Sequence, residues 1–557
     1  MQHGNKYFTI NNFLLIAFCL SFSSAASQTN SYLIFFKDKV GTSFNLSEPQ
    51  AFLSEKAIQR RTKQNISINE RDLPVSEVYL DSISALGGEI IYTTKWLNGA
   101  LIEANNGDIL STIKDLSFIK ELDFNLGALS PNTYNEDFNS MPELFSKQMQ
   151  DEGHILDYGN SFNQLDMLGI TTMHREGYTG KGVTIAVVDG GFSNVQNISA
   201  FDSLMLKGQL LATYDFVDRE EAVFDDDDHG TNVLSVIGAY SPGNLIGAAY
   251  DADFVLLRSE DVPIESRLEE FYWLLAAEFA DSIGVDILNT SLGYSVFFDD
   301  PLENYSKNDL DGNAALITRA ADFAAATGML IVVSAGNEGN DPWGTISPPA
   351  DGDSVLTVGG VTALEQYAGF SSVGPSFDGR IKPDVAAQGT SVVISRSNGS
   401  FTVANGTSFS APLITGLAAG VWQAFPNLTN MQLIDTLKTI ASQRNSPDNE
   451  LGYGIPDFSK LRGSVTGLEK VNALNLQVYP MPFQDSFNIL FPEQLNEQKV
   501  LVEIYDLTGK ILFEKEKDIL NNVIGLQYRE ITFLPKGVLL LKISSKSGNA
   551  HQTLIKN

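Results

Sequence analysis

From about Asp157 to Leu461 the chain alternates short, nearly uninterrupted apolar runs with longer amphipathic ones. No other feature restricts its fold so much. The runs VTIAVVD, ADFVLLRS, VDILNTSLG, MLIVVSAGN and SVLTVGGV read as strands with little polar surface to offer to water. Helices are expected after His229, over EEFYWLLAAEFADSIG and ALITRAADFAAATG, and from Ser408 through Trp422. Strands of this kind need cover on both faces, which predicts an α/β fold with a parallel sheet between helix layers. In such sheets the functional groups gather at strand C-termini and helix N-termini.

The flanking segments differ in pattern. Between Ser31 and about Asn125 the order strand, helix, strand, strand, helix, strand predicts a ferredoxin-like α+β sandwich. Its first helix is expected in AFLSEKAIQRR, with Ser47 and Gln50 spaced as a capping box. Residues from about Leu126 to Gly153 are polar and without a steady period, the pattern of an exposed linker. From about Thr466 to Asn557 the runs NLQVYPMPF, SFNILF, KVLVEIYDLTGKILFEKE, YREITF and VLLLKISS alternate apolar with polar residues, which predicts a small antiparallel β-sandwich.

At 557 residues the chain implies about three or four folded units. Its net charge of −31 argues against nucleic acid and against adsorption on anionic lipid, both of which demand basic surface. The first 26 residues combine Lys6, an apolar run from Phe13 to Phe22 and small residues Ser24 to Ala26, which reads as a cleaved secretory signal. That run is too short for a transmembrane anchor, and no later stretch of about 18 apolar residues follows. The only cysteine, Cys19, falls inside the signal, so no disulfide is expected in the exported protein. A lipid-attachment role for Cys19 is disfavoured by the bulky Phe18 before it.

Amide hydrolysis by a serine needs a base, an acid to orient the base, and donors for the tetrahedral oxyanion. Each has a candidate. Asp189 closes the apolar run TIAVVD and is followed by Gly190-Gly191. His229 stands in DHGTNVLSVIGA at an expected helix start, and Ser408 stands in NGTSFSAP at another. Asn337 ends the strand in VVSAGN. Taken singly, a strand-ending aspartate, a helix-capping histidine and a turn asparagine are each ordinary.

In the order Asp189, His229, Ser408, with Asn337 between the last two, these motifs resemble the subtilase family of serine proteases. Asn232 stands where the family commonly has histidine, a position in the helix and outside the proton relay. Phe409 replaces the usual methionine, and Pro412 matches the family proline, which is expected in a first helical turn with no amide partner to lose. The resemblance implies a three-layer subtilisin-like sheet, with Ser408 as nucleophile, His229 as base, Asp189 as its orienter and Asn337 as oxyanion donor. It further implies that polypeptide substrates pair along Ser291, Leu292 and Gly293, and that Ser334, Ala335 and Gly336 wall the specificity pocket. Neither segment carries an acid, so an apolar pocket is expected, with Ser347 a candidate for its base.

The N-terminal region resembles the inhibitory propeptide of subtilases. YPMPF, DLTGK, LPKG and the terminal IKN resemble the sorting domain of the type IX secretion system, with Met481 where the family carries asparagine. The expected organisation is signal 1–26, propeptide 27–150, catalytic domain 151–465 and sorting domain 466–557. Expected partners are substrate polypeptides, the chain's own propeptide as inhibitor and the secretion machinery, with a secreted or cell-surface location. The chemistry needs no cofactor. The acidic run Asp225 to Asp228 reads first as a solvated turn that raises the histidine pKa, with structural calcium as the alternative, and zinc has no support. Two other functions fit the same residues: an adhesion protein on a dead protease fold, and a subtilase that passes its acyl group to an amine.

Overall fold

A computed structural model of the protein describes residues 30–104, 107–126, 156–461, 477–491, 499–505, 510–519, 522–545 and 548–556. The expected signal and nearly all of the expected linker lie outside these residues. The chain forms two compact units, Met1–Phe52 with Ile68–Thr133, and Leu53–Ser67 with Tyr134–Asn557.

The first unit opens with β1 (Asn30–Phe36). Helix α1 (Glu55–Lys63) follows in the chain but belongs to the second unit. The first continues through α2 (Glu77–Ala85), β2 (Glu89–Thr94), β3 (Gly99–Ala104), α3 (Gly107–Lys114) and β4 (Ile119–Leu126). The sheet order β2-β3-β1-β4, antiparallel throughout, is the arrangement expected from the pattern. Ile34, Phe36, Ile83, Ile102 and Ile113 form its core. The first helical slot is filled by α2, because the segment read as the first helix packs elsewhere. The expected capping box also fails. Ser54, not Ser47, caps α1, accepting the Ala57 N–H at 3.1 Å, while Ser47 is engaged by Asn45 and Pro49 starts a separate short turn.

The second unit places α4 (Phe162–Asp166) and α5 (Ile170–Arg175) before the first strand of the large sheet, β5 (Thr184–Asp189). There follow α6 (Asp202–Leu206), β6 (Leu210–Asp215), α7 (His229–Gly238), a hairpin of β7 (Tyr240–Ser241) and β8 (Leu245–Ile246), and β9 (Asp253–Arg258). Helix α8 (Arg267–Ile283), β10 (Ile287–Thr290), α9 (Leu316–Ala326), β11 (Leu330–Ser334), β12 (Leu356–Val361) and β13 (Val385–Gln388) continue the alternation. A hairpin of β14 (Val392–Ser395) and β15 (Phe401–Ala404) leads into α10 (Thr407–Ala424) and α11 (Asn430–Thr439).

Seven strands form one parallel sheet in the order β13-β12-β11-β10-β5-β9-β6. Every residue of β5, β10, β11 and β12 is buried, as strands covered on both faces require. From β5 the chain moves outward to β6 on one side, whereas from β10 it moves to β11 on the other. The crevice between the C-termini of β5 and β10 is therefore the topological switch point of the sheet. The edge strand β6 was not legible beforehand, because most of LLATYD is only partly buried and carries no continuous apolar run.

The C-terminal region forms two antiparallel sheets. One holds β16 (Gln477–Tyr479), β17 (Phe487–Leu490) and β20 (Val523–Leu526). The other has β19 (Ile511–Asp518), β18 (Lys499–Tyr505), β21 (Gly537–Ser545) and β22 (Gly548–Lys556) in that order. Phe483, Phe487, Ile504 and Ile543 fill the core. YREITF is not a strand as expected. Tyr528–Ile531 turns into a helix because Glu530 reaches back to the Gln527 N–H at 3.4 Å and pairs with Lys517 and Lys515, whose hydrogen bonds, Lys517's foremost, lower its carboxyl to about 2. Among the described residues no helix is long and apolar enough to cross a membrane.

Packing of α10 against the segment between β8 and β9 leaves no room at Gly416, where an added Cβ would lie 2.2 Å from the Ala248 Cβ and 2.9 Å from its backbone carbonyl carbon. Gly416→Ala should destabilise the unit by about 1–3 kcal/mol and lower the thermal midpoint by several degrees. Gly420→Ala should cost less, because it meets the flexible Met173 side chain. Calorimetry of both variants checks the ranking.

Candidate active site

Asp189 is the last residue of β5 and is fully buried. Its Oδ1 accepts the Gly190 N–H at 2.9 Å and lies 2.8 Å from His229 Nδ1. Two features bring the imidazole there. Asp227 Oδ1 accepts the His229 backbone N–H at 2.8 Å, an anchoring bond at the start of α7. Gly230 then lets the helix sit against the strand, since a Cβ there would lie 2.3 Å from the Gly191 carbonyl oxygen and 2.9 Å from the Asp189 Cβ. Asn232 is inside the helix and almost completely buried.

Ser408 is the second residue of α10 and 8% exposed. Its N–H belongs to the first helical turn, where no intrahelical acceptor exists. The neighbouring Phe409 ring lies 5.9 Å from the His229 ring, so the imidazole stands over the start of α10. Ser408 Oγ donates to the Ser291 carbonyl at 3.3 Å. The proline does lose a bond, contrary to the sequence reading. Pro412 is the sixth residue of the helix, and its missing N–H would have bonded the Ser408 carbonyl. Ser291 Oγ donates to that carbonyl instead, at 2.9 Å, and so ties the nucleophile candidate to the end of β10.

Asn337 lies just past β11. Its Oδ1 accepts the Thr407 N–H at 2.8 Å and the Thr407 hydroxyl at 3.0 Å. Those two donors fix the amide with Nδ2 as its free-facing donor group, one residue from Ser408. Thr407 Oγ1 also accepts the Gly336 N–H at 3.2 Å, with the Gly336 carbonyl at 3.1 Å sharing its one hydroxyl proton with Asn337 Oδ1.

Ser291 to Gly293 follow β10, and Ser334 to Gly336 end and follow β11, so both segments border the same crevice. The partly exposed Leu292 and the exposed Gly293 leave backbone accessible to an extended ligand, whereas Ser334 and Ala335 are buried. A Cβ on Gly293 would lie 3.3 Å from the Ser347 Cβ, and the Tyr294 N–H donates to the Pro348 carbonyl at 2.9 Å. Ser347 thus lies against this segment. Its hydroxyl is buried with no hydrogen-bond partner among the described residues.

The acidic run is not simply a solvated turn. Asp227 holds the His229 N–H, Asp228 accepts the Ser397 hydroxyl at 2.9 Å, and Asp226 lies 3.4 Å from Arg258. Arg258 ends β9 and pairs with Asp215 and Asp218 as well, at 2.6 Å each, while its Nε donates to the Gly190 carbonyl at 3.2 Å. The carboxylates of Asp215, Asp218 and Asp226 are close enough to share an ion. A guanidinium already stands among them, so as built the set fits a divalent cation poorly.

Sequence reasoning missed Arg258, and it missed Glu260 beside it. Glu260 accepts the Tyr294 hydroxyl, just after the Ser291–Gly293 segment. Burial pushes its carboxyl up to about 8, with the charge of Glu265 adding to the rise. Burial likewise lifts Glu265 to about 7 and Glu269 well above the ordinary range. The only sequence signal was the density of acids in SEDVPIESRLEE after an apolar strand.

These carboxyls bind protons more tightly folded than unfolded, so their contribution is fully present below about pH 4.5 and lost as pH rises through about 7 to 8. Glu260→Gln should therefore raise the thermal midpoint by about 3 °C at pH 8.5 and leave it nearly unchanged at pH 5. Thermal melts across that range check the prediction. Equal pH slopes for variant and wild type would contradict it.

Residues 180–454 match the subtilase family, residues 31–140 a peptidase S8 propeptide domain of Bacteroidota, and residues 477–557 a secretion system C-terminal sorting domain. The chain is 31% identical to subtilisin of Bacillus pumilus, over 49% of this chain and 89% of that protein. It is 30% identical to subtilisin NAT of Bacillus subtilis subsp. natto, over 52% of this chain and 69% of that protein. Serine protease AprX of Bacillus subtilis is 30% identical, over 50% of this chain and 64% of that protein. The chain belongs to the subtilase family of serine proteases, with a propeptide domain before its parallel sheet and a secretion sorting domain after it.

Proposed function

We propose that this protein is a secreted endopeptidase made as a zymogen, which cleaves polypeptides through an acyl-enzyme on Ser408. The observation that carries the reading is the 2.8 Å contact between His229 Nδ1 and Asp189 Oδ1 at the mouth of α10. With Nδ1 donating to a buried carboxylate, Nε2 is the nitrogen that serves as base in this reading.

In this reading a peptide lies extended along Ser291, Leu292 and Gly293, held by main-chain hydrogen bonds, with one side chain between that segment and Ser334, Ala335 and Gly336. Ser408 Oγ attacks the carbonyl carbon as His229 takes its proton. The oxyanion that forms accepts hydrogen bonds from the Ser408 N–H and Asn337 Nδ2. His229 returns the proton to the amine as the C–N bond breaks, then draws one from the water that attacks the ester and gives it to Ser408 Oγ as the acyl–oxygen bond breaks and the acid leaves. Asp189 stays ionised and stabilises the imidazolium at each stage. No step needs a cofactor. Calcium at Asp215, Asp218 and Asp226 would have to compete with Arg258 for the same oxygens.

Processing is proposed to sever residues 27–150, which act as inhibitor until then, from residues 151–465 as the protease, with 466–557 as the region that engages the secretion machinery. The Asp189–His229 contact and the bond from the Thr407 N–H to Asn337 beside Ser408 support a working peptidase over an adhesion protein on a dead fold.

Ser408→Ala should abolish peptide turnover, by about a million-fold on the scale measured in subtilisin, and its precursor should stall unprocessed. Asn337→Ala should lower turnover about a hundred- to thousand-fold with little change in KM, again the scale known for subtilisin. Steady-state kinetics on a peptide substrate tests both. Turnover by Ser408→Ala equal to wild type would end the proposal.

A further inference from the structure

Helix α1 lies within the propeptide match by sequence, yet it is built into the sheet-bearing unit. Its two arginines are almost completely buried, as is the Asp281 carboxylate they share in the last turns of α8. Arg60 Nη2 donates to Asp281 Oδ1 at 2.5 Å, and Arg61 Nη2 donates to Asp281 Oδ2 at 3.0 Å. Arg60 also donates from Nε to the Thr327 carbonyl at 3.1 Å and from Nη1 to the Val285 carbonyl. Gln64 donates to the Gly328 carbonyl at 2.7 Å and accepts the Asn430 N–H at 2.9 Å. One dibasic helix thus satisfies carbonyls just past the ends of α8 and α9, where helix dipoles favour positive charge.

The place of this contact sets it apart from inhibition. Lys56 bonds Thr184 Oγ1 at the start of β5 and pairs with Asp286, just before β10, at 2.8 Å. Asp189 and Ser291 stand at the other ends of those strands, about 17 Å away for a strand of six residues. Helix α1 therefore blocks no substrate groove. Its removal would leave Asp281 buried without its cations, near a helix end that itself repels negative charge.

We propose that the N-terminal edge of the sheet is a docking surface for the dibasic helix of residues 53–67, and that this segment stays bound as a structural part of the mature protease after the rest of the propeptide is removed. The maturation half of the statement rests on the zymogen reading. The docking half does not.

Two experiments separate them. Denaturing mass spectrometry of the mature, active protein should find a peptide containing Arg60 and Arg61 in equal amount with the catalytic fragment. Mature active protein without that peptide would overturn the proposal. Ser408→Ala precursor digested with trypsin supplies a sample that needs no self-processing. Its Arg60–Arg61 bond should stay uncut and coelute with the catalytic fragment, whereas cleavage there as fast as in the denatured chain would overturn the docking itself. Arg60→Gln with Arg61→Gln should release the segment and lower the thermal midpoint by about 5 °C or more. Retention of the segment by this variant with an unchanged midpoint would also count against it.

Discussion

The bond between His229 and Asp189 depends on how closely a helix can approach a strand. Helix α7 presses onto the end of β5 at Gly230, where even a methyl group would meet the Gly191 carbonyl at 2.3 Å. Close contact carries the imidazole to a carboxylate that the sheet has already buried. Around that contact, Arg258 ties the turn after Asp189 to the acidic loop before His229. The same guanidinium neutralises Asp215 and Asp218, so the loop is held by a side-chain cation.

The sheet divides its work between its two edges. At the C-terminal edge, strand ends and helix N-termini supply Asp189, His229, Ser291, Asn337 and Ser408, and Ser291 fills the hydrogen bond that Pro412 denies to Ser408. At the N-terminal edge, the C-terminal ends of α8 and α9 present carbonyls and a buried aspartate, and α1 meets them with arginines. Opposite helix ends thus face opposite kinds of group, as the peptide dipoles dictate.

What the sequence disclosed follows from how local each signal is. The motifs of Asp189 and Asn337 stand at or just past strand ends and those of His229 and Ser408 at helix starts, contiguous signals of the kind a parallel sheet gathers at one edge. The seven-stranded sheet was legible in its central strands and not at its β6 edge, where partial exposure dilutes the apolar pattern. Arg258 and Glu260 were illegible because their meaning lies in partners tens of residues away. Helix α1 was recognised as a helix but assigned to the wrong neighbours, since periodicity gives a buried face without naming what covers it. Ser54 as its cap and the helical turn at Tyr528–Ile531 were decided by single side-chain bonds that composition does not weigh.

The most direct test of the account is a crystal structure of the mature protein after reaction with a fluorophosphonate. The account predicts a phosphorus bonded to Ser408 Oγ, with one phosphonyl oxygen within hydrogen-bond distance of both the Ser408 N–H and Asn337 Nδ2, and His229 still bonded to Asp189. An adduct on another residue, or one on Ser408 with that oxygen turned to solvent and away from Asn337, would contradict it.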